Sequence, residues 1–281
     1  MDGIGFLFLA LIGVYSLAFV LFAAEFKNVP PVRLPKPARF VEFGFLIHTL
    51  LIFAQMFMGS AFSPAQIHLP VTTLGEASGF FAWSLAFVYL ILLREFRTET
   101  FGLILVPILI LFLIPMLYPF QTNPALAQYF NDHYFLLHIL SAFFAYASFA
   151  LSFIAAALYL VLDRALKHKA HSNFYFKFPS LDELEQLIFR TILWGIILLG
   201  SAITVGALWT QSVFGTYFLL EPKLIGTLLT LAVYLVIMYL HRVALIKGRR
   251  IVRMSFAAFL LVLINFLGAS FFGAGLHVGA W

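Results

Sequence analysis

Four histidines lie inside, or at the end of, long apolar runs: His48 in Phe-Leu-Ile-His-Thr-Leu-Leu, His138 in Phe-Leu-Leu-His-Ile-Leu, His241 in Tyr-Leu-His-Arg and His277 in Gly-Leu-His. An ionisable side chain in hydrocarbon is costly, so it marks either a site or an interhelical hydrogen bond. Neutral imidazole is a ligand for iron, zinc or copper. With no cysteine in the chain, thiolate metal sites, disulfides and a cysteine nucleophile are excluded. Glu42 is the one acidic candidate within an apolar run, so neither a tetrahedral metal site nor a proton or metal pathway finds the carboxylates it needs. Two imidazoles facing each other across an apolar cavity do supply the axial ligands that haem requires. The 35 phenylalanines could line such a cavity, although lipid-facing positions account for many of them. For any one histidine a hydrogen bond to a neighbouring helix is an equal alternative; four helices placing histidines at matching depths favour ligation.

The elements that would carry these residues are membrane spans. The chain of 281 residues is 63% hydrophobic and only 10% charged, with a mean hydropathy of +1.02, against roughly 25% charged residues in soluble domains. Apolar runs of spanning length occur at about 3–24, 40–59, 76–93, 101–118, 133–162, 187–208, 223–242 and 254–275. They define an all-α, polytopic bundle of eight transmembrane helices forming a single domain over 1–281. The first run has no basic segment before it and reads as a retained span rather than a signal peptide.

Sixteen of the 17 basic residues fall in every second loop, and Lys223 alone lies on the other side. The positive-inside rule then puts both termini outside the cytoplasm. The net charge of +5 is thus a topology signal and implies no nucleic-acid partner. Pro30, Pro31, Pro35 and Pro37 form an extended tether before the second span. Ser180 and Glu183 have the spacing of a capping box, from which a short amphipathic turn is expected to run along the inner surface, within a cytoplasmic loop of about 163–186. Gly206–Lys223, rich in aromatic residues, is expected as an outer loop.

This topology sorts the histidines. His168 and His171 lie in a basic inner loop, and His68 and His133 lie on the outer side at the membrane edge. His48, eight residues from the inner end of its span and so about 12 Å deep, belongs with His241 in the inner half. His138 and His277 belong to the outer half.

Several segments taken in order then carry a resemblance: Leu69-Pro70-Val-Thr-Thr-Leu-Gly-Glu76 through Trp83, His138 followed by Tyr146, Pro179-Ser-Leu-Asp-Glu-Leu, Trp209 to Lys223, Tyr239-Leu-His241 and Gly275-Leu-His277. Over about residues 40–281 the chain resembles the cytochrome c assembly superfamily of haem-handling membrane proteins (CcsA, ResC and CcmC types), most closely its HemX-like branch. The resemblance implies haem b, one or two per chain, with His48 and His241 as an inner axial pair and His138 and His277 as an outer one. It further implies porphyrin stacking by Trp209, Phe214, Tyr217 and Phe218 and a propionate contact from Lys223. Arg94 is a weaker propionate candidate, and Trp83 and Glu76 read as structural.

Where the family pattern has several tryptophans and Asp-Pro-Lys-Glu, this chain has Phe214, Phe218, Leu220, Glu221 and Leu224. Indole donors and an acidic residue are missing, which points to holding or translocating haem rather than to an enzyme that attaches it. The alternatives implied by the resemblance are a regulator of tetrapyrrole biosynthesis acting on glutamyl-tRNA reductase abundance, and a component delivering haem to a cytochrome c maturation protein. The expected location is the bacterial cytoplasmic membrane.

Overall fold

The computed structural model describes residues 3–27, 36–58, 69–96, 101–118, 132–168, 177–218, 221–243 and 245–271. Among them are eight α-helices: α1 Gly3–Phe26, α2 Pro37–Met58, α3 Leu74–Glu95, α4 Gly102–Leu113, α5 His133–Lys167, α6 Leu181–Phe214, α7 Pro222–Arg242 and α8 Arg249–Phe271. Each expected apolar run is a helix. Six of them, α1, α2, α3, α5, α6 and α7, are long and apolar enough to cross a membrane by length and composition. Helix α4 is shorter because Pro115, which can neither donate a ladder hydrogen bond nor avoid the carbonyl four residues back, turns the chain into a 3-10 segment at Ile114–Leu117. Tightening the winding there leaves the Phe112 carbonyl available, and Ser78 Oγ donates to it at 2.5 Å.

The chain packs as two compact units, one of residues 1–127 and 172–179 and one of 128–171 and 180–281. In the first, α1 packs on α2, α2 on α3, α3 on α4, and α4 returns to α1. The second repeats this order with α5, α6, α7 and α8. In each unit, helices adjacent in sequence pack together and the last returns to the first, closing a four-helix bundle.

Helix α6 differs from expectation at both ends. Ser180 and Glu183 do form the capping box, with Ser180 N donating to Glu183 Oε2 at 2.8 Å and Glu183 N donating to Ser180 Oγ at 3.2 Å. From there the helix runs unbroken through 34 residues, about 50 Å at 1.5 Å per residue. No separate surface turn precedes the span, since no proline interrupts Leu181–Phe214 and Gly195 is accommodated within the helix. At the other end the residues from Gly206 to Phe214, expected as loop, are helical, and the stop is Gly215 in the left-handed region at φ 72°. The aromatic segment is therefore a helix terminus followed by a short connection.

In the first unit the connection between α5 and α6 caps α1. Lys177 Nζ donates to the Phe26 carbonyl and lies 5.2 Å from the Phe26 ring centroid, and Phe178 packs on the same ring. A cation at the carbonyl end of a helix satisfies an orphan acceptor and opposes the helix dipole.

Small residues let helices approach closely without lipid-driven hydrophobic force. A Cβ added at Gly195 would lie 2.7 Å from Phe149 Cδ1, and Phe149 is fully buried and stacked on Tyr234 at 4.0 Å. At Gly200, on the same helix, an added Cβ meets nothing within 4 Å. Gly195→Ala is therefore expected to destabilise by about 1–3 kcal/mol through overpacking. Gly200→Ala should stabilise by up to about 1 kcal/mol through helix propensity. Thermal unfolding in detergent checks the pair, and equal shifts would contradict the packing described.

Candidate functional site

Helix α2 separates lipid from interior cleanly. Phe43, Leu46, Leu50, Phe53 and Phe57, at three- and four-residue spacing, are exposed, whereas Val41, His48, Ile52 and Gln55 on the opposite side are buried. His48 has no exposed surface, and neither ring nitrogen has a hydrogen-bond partner. The backbone of Gly79 in α3 lies near enough to interact, but outside good hydrogen-bond geometry. Its ring meets Phe8 and Tyr15 of α1 edge-on, with centroids 6.1 and 6.5 Å away. Gly44 admits Tyr15, since a Cβ there would be 2.9 Å from the phenol ring, and the Tyr15 hydroxyl is also buried without a partner. More than nine in ten buried polar groups are satisfied in native proteins. An orphaned imidazole surrounded by aromatic rings is thus a ligand's environment more than a structural one.

Trp83 and Glu76 support this unit. Trp83 Nε1 donates to Thr49 Oγ1 at 2.8 Å, one residue beyond His48, and the indole stacks on Phe45. Glu76 Oε2 accepts from Thr72 N and Oγ1 at 2.8 and 2.5 Å, while Thr73 Oγ1 accepts from Glu76 N at 3.1 Å. That reciprocal cap starts α3 and accounts for Glu76 without a ligand.

In the second unit His138 of α5 faces α6. Its Nδ1 is 2.8 Å from the Ala202 carbonyl. A carbonyl only accepts, so Nδ1 carries the proton and Nε2 presents its lone pair. Metal-binding histidines are oriented in this way by a carbonyl behind the ring. Gly206, one turn past Ala202, makes room: a Cβ there would be 2.6 Å from His138 Nδ1. The positive charge of Lys223, on the first turn of α7, acts on His138, and Glu221 in turn acts on Lys223. Thr227 Oγ1 fixes that turn by donating to the Lys223 carbonyl at 2.7 Å, accepting from Asn265 Nδ2 at 3.0 Å, and bonding Tyr146.

The aromatic candidates divide. Trp209 is 7% exposed and packs against Phe135 with centroids 5.0 Å apart, so it is part of the helix interface. Phe214, Tyr217 and Phe218 are 41%, 54% and 54% exposed and remain open to a flat partner.

At the opposite end of this unit His241 closes α7. Its ring lies flat on Phe189 of α6, centroids 3.5 Å apart and planes within 2°. Its Nδ1 is 3.7 Å from Glu185 Oε1. Asp163 nearby is engaged by Lys167 at 2.9 Å and by Arg249 at 3.3 Å.

The structure thus gathers His138, Gly206, Trp209 and Lys223 at one end of the second unit, and His241 with Glu185 at the other. His48 belongs to the first unit and is described within it, apart from His241. His277 lies outside the described residues, as do His68 and His171. His133 and His168 are exposed, as is Arg94. Among the described residues no three histidines or carboxylates cluster to hold a bare metal ion. Haem needs less from the protein, and an orphaned His48 and a carbonyl-oriented His138 fit it. Gly206, Glu185 and Tyr15 were not singled out by sequence, because their contributions depend on which helix faces them.

An all-helical polytopic membrane protein with isolated, positioned intramembrane histidines is the class these observations define. The model of the cytochrome c assembly protein family matches residues 71–277, and the chain belongs to that family. It is similar to protein HemX of Brevibacillus brevis, 30% identical over 260 residues, covering 91% of this chain and 94% of the relative. It is also similar to the cytochrome c biogenesis protein CcsA of Guillardia theta, at 28% over 235 residues, with 76% and 77% covered. CcsA of Prochlorococcus marinus strain MIT 9312 is 26% identical over 241 residues, with the same coverage.

Gly206→Ala reads out the carbonyl-oriented geometry of His138. The methyl group would push the ring off the Ala202 carbonyl, and loss of such an orienting contact lowers metal affinity by about 10–100-fold. For His138 as an expected haem ligand, haem titration of the purified variant checks this; unchanged affinity would contradict it.

Proposed function

We propose that this protein holds b-type haem non-covalently in the membrane and passes it between an inner site at His48 and His241 and an outer site at His138 and His277. The observation that carries this reading is His48, a fully buried imidazole with no well-formed hydrogen bond at either nitrogen, its nearest polar neighbour being the Gly79 backbone. Phe214, Tyr217 and Phe218 stack on the porphyrin at the outer site, with Trp209 packed edge-on against Phe214. Lys223 meets a propionate as a point charge. The iron supplies the affinity for two imidazoles; the chain's own residues hold those imidazoles in one tautomer, exclude water and give the macrocycle an apolar wall. With every second loop basic, the His138 end is the outer one and both termini are outside.

Similarity to HemX along nearly the whole chain favours a second role that can coexist with the first: control of glutamyl-tRNA reductase abundance through the cytoplasmic loops. Neutralising Arg249, Arg250 and Arg253 separates the two. Retained haem with altered reductase abundance supports a regulatory surface, whereas unchanged abundance leaves haem handling alone. Delivery to a cytochrome c maturation protein predicts instead that c-type cytochromes fall when the gene is deleted. Haem content per chain after purification tests the primary reading directly.

A further inference from the structure

Glu185 is a membrane-end carboxylate that the haem reading does not use. It sits on α6 one turn before Phe189, so the two share a helix face, and together they grip His241 from its face and its edge. Phe189 fixes the plane of the ring at 3.5 Å. Glu185 Oε1 stands 3.7 Å from Nδ1, a charge contact just beyond hydrogen-bond length. Its other oxygen accepts from Gly248 N at 3.0 Å. That bond ties down a connection with two left-handed residues, Leu245 at φ 55° and Gly248 at φ 69°. Asp163, the neighbouring acid, is occupied by Lys167 and Arg249, so Glu185 is the carboxylate that acts on the imidazole, alongside the Ile246 backbone.

We infer that Glu185 is a positioning residue for His241, aiming the ring by its Nδ1 edge so that Nε2 is the iron ligand, and enriching that ligand in electron density. The inference rests on His241 binding haem iron, as proposed above. A negative charge beside Nδ1 favours the proton on that nitrogen and raises the basicity of Nε2, and a more basic axial ligand favours ferric over ferrous iron. The Gly248 bond holds the carboxylate in place, which a bare surface acid would not achieve.

The test is a redox titration of haem-loaded protein, with haem affinity measured alongside. Glu185→Gln keeps an acceptor for Gly248 N–H and removes the charge. It is expected to retain haem with about tenfold weaker affinity at the His241 site. Its ferric/ferrous equilibrium should move about tenfold toward ferrous, or 59 mV upward for one electron. Glu185→Asp, which keeps the charge one methylene further back, should shift the potential in the same direction by less and serves if the first variant does not fold. A potential unchanged in both, with His241→Ala losing its haem, overturns the inference and leaves the haem site standing. Haem retained at full occupancy in His241→Ala overturns the haem assignment itself.

Discussion

His48→Leu is expected to act in opposite directions on the two forms of the protein. Without haem, the histidine buries two nitrogens that have no partner, and an unsatisfied buried group costs about 1–3 kcal/mol. Leucine fills similar space among Phe8 and Tyr15 without that penalty, so haem-free His48→Leu should be more stable than wild type by about that amount. With haem, the variant loses a proposed axial ligand, and the stabilisation that a bound ligand gives the folded state is expected to disappear. Unfolding temperatures measured with and without added haem check both signs. A variant destabilised even without haem would mean that His48 is held by a structural hydrogen bond, and would remove the observation on which the function rests.

His138→Ala has the second largest expected effect. The bond to the Ala202 carbonyl fixes the tautomer that leaves Nε2 free, and under the proposed ligation this variant removes the ligand itself, not merely its orientation. Haem affinity at this end should fall on the order of 100-fold or more, beyond the effect of disturbing an orienting contact. The apo stability effect is a separate matter: losing the bond to the Ala202 carbonyl should cost the haem-free protein about 0.5–1.5 kcal/mol. Lys223→Gln, which removes a charge that reaches the same ring, is the milder companion. It should weaken haem by the value of a charge-assisted hydrogen bond, about 1.5–3 kcal/mol. A His138→Ala protein that binds haem as tightly as wild type at this end would contradict the assignment.

The helices were legible because hydrocarbon imposes one requirement, internally satisfied backbone over a fixed length. Every apolar run is a helix, with ends displaced by a few residues. Displacement was greatest in α6, where capping by Ser180 and Glu183 was visible but its meaning was not: a good cap starts a helix without saying whether the helix then bends. The Gly206 segment reads as loop from sequence because its aromatic residues suit an interface equally well as helix or coil, and only Gly215 has a conformational reason to stop the helix. Family membership was legible from the order of short motifs, and the match over 71–277 agrees. The histidines were found by depth, since depth follows from counting residues along a helix. Their partners were not, because Ala202, Gly206 and Glu185 depend on how α5, α6 and α7 rotate about their axes. Trp209 shows the same limit: its residue type says nothing of the rotation that brings it against Phe135.

The most direct measurement is the reduced absorption spectrum of protein purified from cells supplied with haem, with the four histidines replaced singly by alanine. The account predicts a six-coordinate low-spin b-type spectrum. One component should be lost in His48→Ala and in His241→Ala, and the other in His138→Ala and in His277→Ala. Protein that stays colourless, or a spectrum indifferent to all four substitutions, would contradict it.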